Sequence, residues 1–75
     1  MKELIEFLAK SITTNPDAVV VTEETSDGRV IIRLEVSPED KGKVIGRQGR
    51  VAQSMRLLLR IAAVKDGSHA VLEIV

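Results

Sequence analysis

The sequence predicts an α+β domain: a three-stranded mixed sheet with three helices on one face, in the order αββααβ. Three observations predict it. Two β-branched runs flank a Ser-Asp-Gly turn. Helix-periodic segments stand before and after that pair. A last β-branched run follows two helices, a connection long enough for parallel pairing.

Residues 2–13 place Leu4, Ile5, Leu8, Ala9 and Ile12 on one helical face, with Lys2, Glu3, Glu6 and Lys10 on the other. Thr13, Thr14, Asn15 and Pro16 end that helix, because proline disfavours helix at the residue before it. Residues 18–25 (AVVVTEET) and 29–36 (RVIIRLEV) read as strands. Between them, Gly28 of Ser26-Asp27-Gly28 can take positive φ at little cost. Val30, Ile32, Leu34 and Val36 alternate with Ile31, Arg33 and Glu35, so one face of this strand is apolar and requires cover. The strand is expected at the centre of the sheet.

Ser37 and Pro38 open a short helix, Ser37 as a cap and Pro38 at the first helical position. Glu39 and Asp40 suit the positive end of its dipole. Gly46 to Gly49 breaks it. Residues 50–65 form the longest helix, with Val51, Met55, Leu58, Leu59 and Ala62 on its apolar face. Lys65-Asp66-Gly67 stops it, Gly67 being free to take the left-handed cap. Residues 69–75 (HAVLEIV) are the last strand, and the crossover leading to it is expected to be right-handed.

Seventy-five residues make one domain, residues 1–75. Hydrophobic residues make up 44%, enough for a small core. There is no cysteine, so neither a disulfide nor a Cys-based metal or redox site can stabilise it. Self-association would bury more surface. No apolar run reaches the roughly 18 residues of a membrane span. The opening MKELIEFLAK carries acids within its apolar stretch, unlike a secretory signal. A soluble cytoplasmic protein is expected. Phe7 is the one aromatic residue, which nearly excludes base stacking on aromatic platforms.

The formal net charge is zero, but the charge is divided. Residues 1–40 carry four bases and nine acids, and residues 41–75 carry seven bases and two acids. From Lys41 to Arg60 there are six bases and no acid. Within that basic stretch lies Lys43-Val44-Ile45-Gly46-Arg47-Gln48-Gly49-Arg50. Two glycines three apart, between two helices, allow a tight turn with no Cβ in the way of a ligand. The N–H groups opening the next helix are suited to an anion. Arg47 and Arg50 can pair with phosphate, and Gln48 can donate and accept a hydrogen bond.

VIGRQGR in αββααβ order resembles a KH domain of the second topological type, the bacterial one, and the resemblance spans the whole chain. A stand-alone KH domain of this size is similar to the KhpA family of small bacterial KH proteins. That resemblance implies a type II KH fold and single-stranded RNA binding through the GXXG loop, which clamps four backbone nucleotides. It implies Gly46 and Gly49 as the motif glycines and Arg47 and Gln48 as the variable pair facing the RNA backbone. Val44 and Ile45 would be the apolar pair before the loop, one contacting bases while its neighbour packs inside; the sequence leaves open which. The expected RNA-binding set is therefore Lys43, Val44, Ile45, Gly46, Arg47, Gln48, Gly49 and Arg50. The family further implies an RNA chaperone that acts as a homodimer and with KhpB, a larger KH protein, in control of cell-envelope synthesis and cell length.

Other residues carry two readings. Arg56 and Arg60, one turn apart, form either a solvated face or an extended basic track; Lys41 and Lys43 flank the loop. Leu57, Ile61 and Val64 make a second apolar stripe on the longest helix. It is covered by the first helix or is a face for self-association, with Ile61 near its centre. His69 has no evident Asp, Ser or Cys partner and reads as a structural or surface residue. Glu23, Glu24, Asp27, Glu39 and Asp40 fit no tight metal loop and read as a solvated face or cap. No cofactor, metal or catalytic residue is expected. A glycine loop holding a nucleotide for an enzyme would need a G-K-[ST] end and a nucleophile–base pair, and both are missing. The remaining alternative is a protein-interaction subunit for which RNA contact is secondary.

Overall fold

The sheet begins with a hairpin whose turn is two residues long. In a computed structural model describing residues 1–75, Asp27 and Gly28 both take positive φ, 52° and 77°. Turns of that kind match the twist of antiparallel strands. They join β1 (Val20–Ser26) to β2 (Arg29–Glu35), with Val21 opposite Leu34 and Ser26 opposite Arg29. β3 (His69–Ile74) pairs parallel to β2, with Arg29 beside His69 and Leu34 beside Ile74. The sheet order is β1-β2-β3, so β2 is central. β1 starts later than the sequence suggested, because Pro16–Ala18 form a 3-10 turn.

Val30, Ile32 and Leu34 of β2, Val21 of β1 and Leu72 of β3 are buried on one face of the sheet. Three helices cover them: α1 (Lys2–Ile12), α2 (Lys41–Ile45) and α3 (Arg50–Lys65). α1 inserts Ile5 and Ala9, α2 inserts Val44, and α3 inserts Met55 and Leu59. On the opposite face, the Arg33 guanidinium donates to Glu24 (Nη1–Oε2, 2.8 Å) and Glu73 (Nε–Oε1, 3.0 Å), tying all three strands together. α3 ends as expected: Gly67 lies at φ 70°, and the Ser68 N–H reaches back to the Ala63 carbonyl at 2.9 Å.

Three expectations are corrected. Leu58 is 42% exposed, and the buried residues of α3 are Ala52, Met55, Leu59 and Ala63. The helix is rotated so that Met55 and Leu59, and not Leu58, join the core. Ser37 caps no helix; its hydroxyl donates to Asp40 Oδ2 at 3.0 Å. Asp40 is neither solvated nor only a dipole partner. It is fully buried.

Candidate nucleic-acid interface

Gly46-Arg47-Gln48-Gly49 joins α2 to α3 through three residues at positive φ. Gly46 has φ 79° and ψ 173°, Gln48 φ 58° and ψ 25°, and Gly49 φ 74° and ψ 13°. Gly46 occupies a region essentially reserved for glycine. A Cβ there would also stand 2.4 Å from Val51 Cγ2, so the first turn of α3 closes onto the bare Cα. Gly49 meets no such neighbour; its requirement is conformational. Three backbone bonds hold the turn: Gly46 N–H to the Gly42 carbonyl (2.8 Å), Gly49 N–H to the Gly46 carbonyl (3.1 Å) and Arg50 N–H to the Arg47 carbonyl.

This geometry turns Arg47 and Gln48 outward, and Lys43 and Arg50 are exposed on either side. No side chain caps the start of α3; the N–H of its first residue, Arg50, donates to the Arg47 carbonyl within the loop. All six bases from Lys41 to Arg60 lack a salt-bridge partner; the ion pairs involve Met1, Lys10 and Arg33 instead. The positive field at the loop is uncompensated, which favours an anionic ligand.

The structure separates Val44 from Ile45. Val44 is fully buried and belongs to the core, so it is not offered to a ligand. Ile45 is 38% exposed beside the loop. α3 and β3 frame a shallow cleft of about 210 Å³, lined by Arg56, Arg60, His69, Ala70, Val71 and Leu72. His69 thus stands with the two arginines. Sequence spacing separates them; the antiparallel run of α3 and β3 brings them together. The apolar stripe is uncovered: Leu57 is 52%, Ile61 48% and Val64 69% exposed, and Leu58 extends the patch. α1 does not lie over it.

A GXXG loop between two helices, inside an αββααβ domain with a mixed three-stranded sheet, defines a KH domain of the second type. The model of the KhpA/KhpB KH domain matches residues 2–74, and the chain belongs to that family. A protein of Clostridium acetobutylicum named RNA-binding protein KhpA is 48% identical over 75 residues, covering the whole of both chains. Its namesake in Aquifex aeolicus is 43% identical over 74 residues, covering 99% of this chain and 94% of the other. Such relatives are named for binding, not for an enzymatic reaction. A crystal structure of Aquifex aeolicus Era bound to GDP and aluminium fluoride shares the fold, with a TM-score of 0.62 and 19% identity. The likeness covers 97% of this chain and 28% of Era. No helix is long and apolar enough to cross a membrane.

Proposed function

We propose that this chain binds single-stranded RNA, with the sugar-phosphate backbone crossing the GRQG loop. The observation that carries this reading is the exposed Arg47-Gln48 pair, held between two glycines in a field of unpaired bases. Family membership and the names of the relatives support it. Backbone N–H groups, Arg47 and Arg50 hold phosphate, and Lys43 adds charge. Ile45, rather than Val44, gives the groove its aliphatic wall. Bases then pass along α3 toward the cleft of Arg56, Arg60 and His69, where their edges meet hydrogen-bonding groups. In this reading the protein is a cytoplasmic RNA chaperone acting with KhpB in cell-envelope and cell-length control.

The test is fluorescence anisotropy with a labelled single-stranded RNA pool, comparing wild type with Arg47→Asp/Gln48→Asp. Both glycines remain, and circular dichroism checks the fold. The expected result is at least about a tenfold loss of affinity. The wild-type salt slope is expected to be shallow, on the order of −0.7 per phosphate. Equal binding by both proteins would move the site to Arg56 and Arg60. Binding by neither would favour the second reading.

That second reading is a protein-interaction subunit, and the exposed patch of Leu57, Leu58, Ile61 and Val64 favours it. A symmetric homodimer with the two α3 helices side by side would bury the patch, and a larger KH protein such as KhpB could occupy the same face. The loop remains open in that arrangement, so the two readings are compatible.

A further inference from the structure

Asp40 is the only buried charged residue of the chain. It accepts four hydrogen bonds: from the Thr14 N–H (3.0 Å) and hydroxyl (2.7 Å), the Asn15 N–H (3.0 Å) and the Ser37 hydroxyl (3.0 Å). No lysine or arginine pairs with it. Thr14 and Asn15 belong to the segment that leaves α1, 26 and 25 residues earlier in the chain. The carboxylate therefore fastens the end of α1 to the residue that immediately precedes α2.

α2 is only five residues long, too short to hold its own direction. Three points fix it: Asp40 at its start, Val44 in the core, and Gly46 closed against Val51. We infer that the Asp40 clasp is a positioning device for the RNA loop, setting the angle at which α2 delivers Gly46, Arg47 and Gln48. This inference rests on the reading of the loop as the RNA site. The path from Asp40 to Gly46 is six residues, about 9 Å along a helix. A tilt of about 10° over that length displaces the loop by about 1.5 Å, more than the tolerance of a phosphate hydrogen bond. The clasp touches no ligand itself. Its donors are neutral, and Thr14 and Asn15 reach it from the segment that leaves α1, while Ser37 lies in its own segment.

The test compares Asp40→Asn, Thr14→Val and Thr14→Ser in the full chain, beside Arg47→Asp/Gln48→Asp. RNA affinity is measured where circular dichroism shows each variant folded, together with amide hydrogen exchange. Asp40→Asn is expected to weaken RNA binding about tenfold, and Thr14→Val about threefold, as charge-assisted bonds are lost. Thr14→Ser keeps the hydroxyl and is expected to bind as wild type. Exchange is expected to rise at Gly42 to Gly49 and not in β2. If Asp40→Asn fails to fold, the Val/Ser contrast at Thr14 decides. Folded clasp variants with wild-type affinity, beside a loop variant that has lost binding, would overturn the clasp. A loop variant that still binds would overturn the RNA-loop reading, and the clasp inference with it.

Discussion

Gly46 and Val51 lie so close that the side chain of Val51 occupies the space a Cβ of residue 46 would need. The first turn of α3 is thereby locked against the first residue of the GRQG loop. Gly46→Ala brings a steric clash and a backbone region closed to alanine. It is expected to cost about 3 kcal/mol or more. Gly49→Ala meets open space and carries only the left-handed penalty, about 1–2 kcal/mol. Urea denaturation of the two variants is expected to separate them clearly. Equal losses would mean that contact with Val51 does not matter.

Val44 and Ile45 are neighbours with opposite burial. Val44→Ala removes buried methyl groups and is expected to destabilise the fold by about 2–3 kcal/mol. Ile45→Ala is expected to change stability by less than about 1 kcal/mol, as befits a surface position. RNA affinity should show the reverse order in the folded proteins, with Ile45→Ala the weaker binder.

Much of this was legible from sequence, and the exceptions share a cause. The two strands, the turn at Gly28, the stop at Gly67 and the loop glycines are local: each follows from a few adjacent residues. The facing of α3 is not local. Periodicity defines its apolar sides but not its rotation, and the large Leu58 looks more buriable than Ala52 or Ala63. The burial of Asp40 is not legible in the sequence, because its partners Thr14 and Asn15 come from another element and a helix start explains an acid well enough without them. His69 gained its place beside Arg56 and Arg60 in the same way, through strand order. The Val44/Ile45 choice needed the core direction of a five-residue helix, which its sequence does not carry.

Acid stability is expected to report on Asp40. The Thr14 N–H, then the Thr14 hydroxyl, the Asn15 N–H and the Ser37 hydroxyl stabilise its charged form against the opposing cost of burial. Together they lower its pKa from 3.8 to about 2. The folded state therefore binds the proton less well than the unfolded chain. The contribution is complete above the unfolded pKa and is lost as the pH falls toward about 2. Thermal unfolding followed through that window is expected to show a steeper fall in Tm for wild type than for Asp40→Asn. Parallel falls would assign the acid sensitivity to other carboxylates.

Ile61 sits at the middle of the uncovered patch on α3. In the dimer reading, Ile61→Asp is expected to give a monomer in sedimentation equilibrium at high micromolar concentration. Wild type is expected to show twice the mass of one chain. Because Ile61 is half exposed in the single chain, the substitution is expected to leave monomer stability within about 1 kcal/mol. A monomeric wild type would leave the patch to a different protein.

Arg33 and Glu73 hold each other across adjacent strands although 40 residues separate them in the chain. α2, the loop and α3 all lie inside that span. The β1–β2 hairpin closes through two residues and can form within microseconds of its synthesis. The parallel pairing must instead close the long connection, with its larger entropy cost, before it gains any contact. Until β3 docks, α3 lacks the strand it packs against, and the cleft between them is incomplete. A nascent chain therefore carries a formed hairpin before it carries that cleft, which is completed last, with the final strand.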